Sequence, residues 1–231
     1  MIQLTKEEVE IRQFIVRFFL DHGFAPSSTE IENKFSLDKK TVSLLLISIA
    51  EKKALVLHPH VPEIWVAHPF ANAPSAIWVQ CHEKELGWWS PCPWCAFGIA
   101  ALAKVDVRIH ARLGGESQPT EIDIIGGKLS RKDLVIHMPI AVSGLWNNVI
   151  CSCSMMLFHT SEGSIDLWCK RHRFSKGGVL TLEQCWEIAK GWYGDSLNED
   201  WNRKSMEEVE AFFREHMLDL SFGPIQSKGP A

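Results

Sequence analysis

Apolar residues in the first part of the chain recur at the helical spacing of about 3.6 residues, and this pattern predicts three helices. Residues typical of helix N-termini mark where they begin, namely Thr5 with Glu8, Ser27 with Glu30, and Asp38. Two strand-like segments, 54–57 and 64–67, follow and flank a turn that contains proline. Three helices followed by a hairpin are typical of a winged helix. We therefore predict a winged-helix-like domain over residues 1–72.

Beyond Pro74 the pattern changes to short apolar strands separated by turns. The strand-like segments are 76–81, 105–112, 121–125, 134–138 and 149–158. A tryptophan-rich loop runs into an apolar helix near Pro93, and two further capping boxes open helices late in the chain, at Thr181 with Gln184 and at Ser205 with Glu208. The sequence thus predicts an α+β fold, with a second unit over residues 73–231 that mixes strands and helices and ends in an α-rich segment.

The charge of the chain argues against nucleic acid as a partner. The formal net charge is -4, and residues 1–70 carry 8 Lys and Arg against 9 Asp and Glu, a net of -1. A domain without a basic surface is poorly suited to neutralising phosphates. The predicted winged helix is therefore interpreted as a packing module rather than as a reader of DNA.

The start of the chain lacks the basic stretch and apolar core of a secretory signal, and no run of about 18 apolar residues predicts a membrane span. We therefore expect a soluble, cytoplasmic protein, and the sequence indicates no oligomeric state. In a reducing compartment the seven cysteines are expected to be thiols, ligands or nucleophiles rather than a disulfide framework.

Two pairs of cysteines carry the chemistry that the sequence suggests. Pro93 suits the first position of a helix and places Cys95 in the first turn, where free N–H groups and the helix dipole favour a thiolate. On a strand, Cys151 and Cys153 would face one side and share a soft metal ion. Together with Cys92 and Cys95 they could form a tetrahedral zinc site, although the spacing is not that of two zinc knuckles. A buried, inert thiol is the alternative for Cys95.

The stretch Trp94-Cys95-Ala96-Phe97-Gly98, the junction His68-Pro69-Phe70 ahead of Pro74, and the later cysteine pair before Phe158 resemble the alkylmercury lyase (organomercurial lyase) family. The resemblance implies a winged-helix-like front, a mixed core and a lyase that cleaves a carbon–mercury bond by protonating carbon. It also implies a small organomercurial substrate and no added cofactor, with mercury as part of substrate and product. Two thiolates capture the soft metal, and an acid delivers the proton.

The resemblance implies that Cys95 matches the first cysteine of the family and that Cys153 or Cys151 matches the second. Cys92 is a further candidate metal ligand from its spacing to Cys95 alone. The family pattern Trp-Cys-Ala-x-Asp ends in the aspartate that supplies the proton, but this chain has Gly98 there. Mercury capture needs only sulfur, whereas protonolysis needs a substitute acid. The candidates by position in the sequence are Asp106, Glu83, Glu85 and His159.

The missing aspartate leaves two alternatives to an alkylmercury lyase. One is a cysteine-dependent hydrolase or lyase acting on a non-mercurial carbon substrate, with Gly98 making room beside the Cys95 sulfur. The other is a non-catalytic thiolate protein that binds or senses a metal. An apolar or aromatic guest would suit the tryptophans, although buried tryptophan more often belongs to the core. These residues are Trp78, Trp88, Trp89, Trp94 and Trp146.

Overall fold

The computed structural model describes residues 3–198 and 201–216, which form the predicted α+β fold. Its helices are α1 (Lys6–His22), α2 (Ser28–Phe35), α3 (Lys39–Glu51), α4 (Pro93–Ala103), α5 (Val149–Ser154), α6 (Glu162–His172), α7 (Leu182–Tyr193) and α8 (Met206–Glu215). Its strands are β1 (Val56–Leu57), β2 (Ile64–Ala67), β3 (Phe70–Ala71), β4 (Ile77–Cys81), β5 (Gly87–Ser90), β6 (Val107–Arg112), β7 (Pro119–Ile125), β8 (Lys128–Leu129), β9 (Val135–Met138), β10 (Leu157–His159) and β11 (Gly178–Thr181).

Side-chain caps start the helices where the sequence predicts them. The capping boxes are complete at α1, α2, α7 and α8. In each, the side chain of the N-cap residue accepts the backbone N–H of the residue three positions later, and the side chain of that residue accepts the backbone N–H of the N-cap residue. Asp38 caps α3 by accepting the N–H groups of Lys40 and Thr41. Local sequence therefore determines the starts of these five helices.

The strands form two antiparallel sheets. The larger sheet has eight strands in the order β1-β2-β3-β5-β4-β6-β7-β8, and the smaller has the order β10-β9-β11. In the larger sheet the pairing of β3 with β5 is short and consists of one residue pair, Ala71 opposite Trp89. Within residues 3–198 and 201–216, no helix combines the length and the apolar character that crossing a bilayer requires.

The predicted boundary between residues 72 and 73 falls inside the larger sheet, which continues from β1 to β8. The core is also continuous there. The ring of Phe19 in α1 stacks on that of Phe70 with centroids 5.1 Å apart, and the backbone carbonyl of Phe19 accepts the indole N–H of Trp88 at 2.7 Å. The three front helices and the β1–β2 pair are present as predicted. Their assignment as a winged helix, and the division into two domains, remain predictions.

Helix α4 is the central element of the core. Its residues from Pro93 to Leu102 are all buried, so no face of the helix meets solvent. It packs against α7 on one side and against β4 and β5 on another. This position holds the start of α4, and the cysteines there, inside the protein.

Candidate active site

Cys95 lies in the first turn of α4, as the position of Pro93 predicts. The residue that caps this helix is Cys92, whose sulfur accepts the backbone N–H of Cys95 at 3.4 Å. Both sulfurs are buried, with Cys92 and Cys95 each 1% exposed. The helix start therefore brings two thiols and several N–H groups into one small volume.

The segment predicted as one strand over residues 149–158 is instead helix α5 followed by β10. Asn148 caps the helix by accepting the N–H of Cys151 at 3.1 Å, which favours a helix start at this point. On a helix, Cys151 and Cys153 point in different directions. Cys151 is exposed and Cys153 is buried, so the structure does not bring Cys151 to Cys95 and does not assemble the four-sulfur zinc set.

Cys153 and Cys95 meet at a third residue, His68, which directly follows β2. The two sulfurs and a ring nitrogen of His68 all lie within 4.8 Å of one another. Nε2 of His68 is 3.8 Å from Sγ of Cys153, while its Nδ1 is buried without a hydrogen-bond partner among the described residues. Sequence reasoning used His68 only as part of a junction, and nothing in its spacing to the cysteines marks it as a ligand.

Burial lowers the pKa of His68 to about 4, with Arg12 contributing in the same direction and Cys92 opposing it. His68 is therefore neutral at physiological pH. A neutral imidazole offers a lone pair to a metal or to a thiol proton.

The pKa values of the three thiols at this site, Cys92, Cys95 and Cys153, shift in different directions. Burial acts to raise the pKa of Cys92, but hydrogen bonds from Cys153, Cys95 and the backbone N–H of Cys95 stabilise its thiolate and bring the pKa well below the usual value. Burial, together with hydrogen bonding to Cys153 and Cys92 and repulsion from them, raises the pKa of Cys95 well above the usual value. The hydrogen bond to Cys92 likewise raises the pKa of Cys153 well above the usual value. The environment that the sequence predicted for Cys95, a thiol whose pKa is lowered at the helix start, is thus found at Cys92, while the pKa of Cys95 is raised.

Tyr193, the last residue of α7, reaches the Cys95 sulfur from a neighbouring helix. Its hydroxyl lies 3.4 Å from Sγ of Cys95, and its side chain is buried. Burial, followed by the nearby Cys95 and Cys92, raises the pKa of Tyr193 well above its usual value, so the hydroxyl stays protonated. Tyr193 was not among the predicted site residues, although it is the only tyrosine in the chain.

A cavity of about 120 Å³ adjoins Cys95, Cys153 and Tyr193. Of the five tryptophans singled out in the sequence, Trp94 and Trp146 line it. The other aliphatic residues and tryptophans of its wall are Ala54, Val142, Leu145, Val149, Met156, Trp192, Trp201 and Val209. Four basic side chains also line it, those of Arg12, Lys53, Arg203 and Lys204. Trp88 belongs to the core, and Trp78 pairs with Trp89 elsewhere on the sheet at 4.7 Å between ring centroids. The two sulfurs therefore face a small, mainly apolar space.

None of the four predicted substitute acids lines this cavity. The Asp106 carboxylate accepts the N–H of Gly126, and Glu83 and Glu85 are exposed next to β4. His159 is buried beside His137 and Trp168, in the small sheet and the helix that covers it. Proximity in sequence to Cys95 did not place these groups near it in space.

The exposure of the cysteines predicts how the native protein reacts with a thiol reagent. Cys151 is exposed and the other six thiols are buried, so we expect about one rapidly reacting thiol per chain. Cys151→Ser should remove that fast phase and leave the slow phase unchanged. Titration with an aromatic disulfide, followed by absorbance, measures both phases, and a fast phase that persists in the variant would contradict the assignment.

The chain is similar to known proteins over most of the described structure. The family model described as alkylmercury lyase matches residues 70–194. Among solved structures, the crystal structure of the mercury-bound form of MerB2 is similar with a TM-score of 0.67 and 20% identity, covering 84% of this chain and 93% of that one. At that identity the likeness concerns the fold. No curated protein sequence matches the chain.

Proposed function

Because the chain belongs to the alkylmercury lyase family and is a lyase of that type, we propose that it cleaves the carbon–mercury bond of a small organomercurial at Cys95 and Cys153. Mercury enters as part of the substrate and leaves as part of the product, and no added cofactor takes part. The two thiolates hold the metal, and a proton delivered to the bound carbon releases the hydrocarbon.

The observation that carries this proposal is the cluster of His68, Cys95 and Cys153 beside the cavity, with ligand atoms within 4.8 Å of one another. Soft metal ions prefer thiolate ligands, and two sulfurs at this separation can hold one ion between them. Imidazole nitrogen from His68 is a compatible third ligand. The exposed Cys151 has no part in the capture.

Cys92 supports capture in this proposal without lining the cavity. Cys95 and Cys153 must each lose a proton to bind mercury as thiolates. Cys92 is hydrogen-bonded to both, and these bonds lower its pKa, so its thiolate form can receive one of these protons as a sulfur–mercury bond forms, while the other proton passes to solvent.

The size and character of the cavity favour a short alkyl group or a single ring on the mercury. An apolar cavity of about 150 Å³ binds benzene in another protein, and this cavity is about 120 Å³. Its mainly aromatic and aliphatic wall suits a hydrocarbon substituent. We therefore expect ethylmercury and phenylmercury, whose substituents are small and apolar, to be turned over.

The experiment that tests the proposal incubates the purified protein with phenylmercury or ethylmercury and excess thiol, and measures released hydrocarbon and protein-bound mercury together. Hydrocarbon release in many-fold excess over protein supports it. Bound mercury without hydrocarbon would indicate a thiolate metal-binding protein, and neither would favour a cysteine-dependent reaction on another carbon substrate. Cys151→Ser is the matched control, because it removes an exposed thiol and should behave like the native protein.

A further inference from the structure

The proposed reaction needs an acid at the bound carbon, and the cavity offers no carboxyl group. No aspartate or glutamate is found among the described residues that line it. The family pattern would supply an aspartate four residues after its tryptophan, where this chain has Gly98. Within this cavity the proton must therefore come from a group other than a carboxyl.

The structure explains why position 98 is glycine. A Cβ atom built on Gly98 would lie 2.3 Å from Cδ2 and 2.6 Å from Cε2 of Tyr193. Distances this short do not occur between packed carbon atoms, so any side chain at position 98 would displace the Tyr193 ring. The phenol ring of α7 thus occupies the space that an aspartate of α4 would need.

The hydroxyl of Tyr193 is directed to the reacting sulfur. It lies 3.4 Å from Sγ of Cys95, and Tyr193 lines the same cavity as Cys95 and Cys153. The ring is held by Trp94 at 5.8 Å between centroids, and the backbone carbonyl of Tyr193 accepts the Ser196 hydroxyl at 2.9 Å. A group this close to the metal-binding sulfur is within reach of a carbon atom on the captured mercury.

We propose that Tyr193 is the catalytic acid of this chain and takes the place of the aspartate in the family pattern. This inference rests on the proposed function. In the step itself, the Tyr193 O–H bond breaks and its proton goes to carbon, while the electron pair of the carbon–mercury bond forms the new C–H bond. The products are the hydrocarbon, mercury(II) held by the two thiolates, and a tyrosinate that regains its proton from water.

The first test is Tyr193→Phe, which keeps the ring that fills the space over Gly98 and removes only the hydroxyl. We expect the rate of hydrocarbon release from phenylmercury to fall by about 100-fold or more, in the range of a lost general acid. Stoichiometric mercury binding should remain, as measured by metal analysis after gel filtration. Release within about threefold of the native rate would overturn the inference, as would loss of mercury binding in a folded variant.

The second test moves the acid from position 193 to position 98. Tyr193→Ala should lose release, and Gly98→Asp alone should lose it because the new side chain collides with the Tyr193 ring. The double variant Gly98→Asp with Tyr193→Ala gives a carboxyl group the vacated space, and we expect release at least about tenfold above Tyr193→Ala. A folded, mercury-binding double variant without recovery would overturn the inference. Native protein that binds no mercury and releases no hydrocarbon would instead overturn the proposed function, and this inference with it.

Discussion

Cys95→Ser should abolish hydrocarbon release, with a loss of about 1000-fold or more relative to the native protein. Serine is nearly the same size, but its oxygen is a hard donor that binds mercury far less well than sulfur. The N-terminal cap of α4 does not depend on this side chain, because Cys92 accepts the backbone N–H of Cys95. The variant should therefore fold normally, and its rate of release from phenylmercury under excess thiol measures the effect.

The same substitution at Cys151 is the matched control for Cys95→Ser. Both changes remove one sulfur, but Cys151 is exposed on α5 and lies outside the group formed by His68, Cys95 and Cys153. Full release by Cys151→Ser and none by Cys95→Ser would assign capture to the buried pair. Substantial release by a folded Cys95→Ser variant would rule out Cys95 as the metal-binding sulfur.

Arg12→Ala should destabilise the protein by about 3 kcal/mol, which is large for a single substitution. Arg12 is 4% exposed, and its Nη1 donates to the carbonyl of Ser196 at 3.0 Å. Its guanidinium also lies 3.4 Å from the ring centre of Trp201. Burial lowers its pKa to about 9, so the side chain remains charged at neutral pH. Alanine would leave a buried carbonyl without its donor and a void beneath Trp201.

Arg17→Ala provides the comparison for Arg12→Ala. Arg17 is exposed on the same helix and donates only a long bond, 3.5 Å, to the carbonyl of Leu197. Its loss should change the free energy of unfolding by less than about 0.5 kcal/mol. Urea denaturation measures both variants. Equal effects would show that Arg12 contributes no more than a surface arginine.

Local signals in the sequence predicted the parts of the fold that depend on local bonds. Capping boxes gave correct starts for α1, α2, α7 and α8, and the proline at position 93 gave the start of α4. The segment 149–158 was predicted wrongly, because a run of apolar residues is compatible with a buried helix as well as with a strand. There the cap at Asn148 marks the start of a helix.

The candidate site was predicted only where a motif identifies its residues. Cys95 and Cys153 stand in patterns that can be recognised, whereas His68 and Tyr193 reach them through tertiary packing. Tyr193 is 98 residues from Cys95 in the chain, and its position depends on how α7 packs against α4. The one sequence signal for it was indirect, since glycine at position 98 indicates that another group occupies the space beside it.

The short pairing of β3 with β5 affects which fragments of the chain can be expressed alone. A fragment that begins after residue 72 would lack β3 and would leave the Trp88 and Trp89 edge of β5 without its neighbouring strand. It would also lack the Phe19 carbonyl that the Trp88 indole needs. An uncovered strand rich in tryptophan is a template for pairing between molecules. Such a fragment is therefore expected to aggregate during expression, because residues 1–72 supply both the strand that pairs with β5 and the carbonyl that the Trp88 indole N–H donates to.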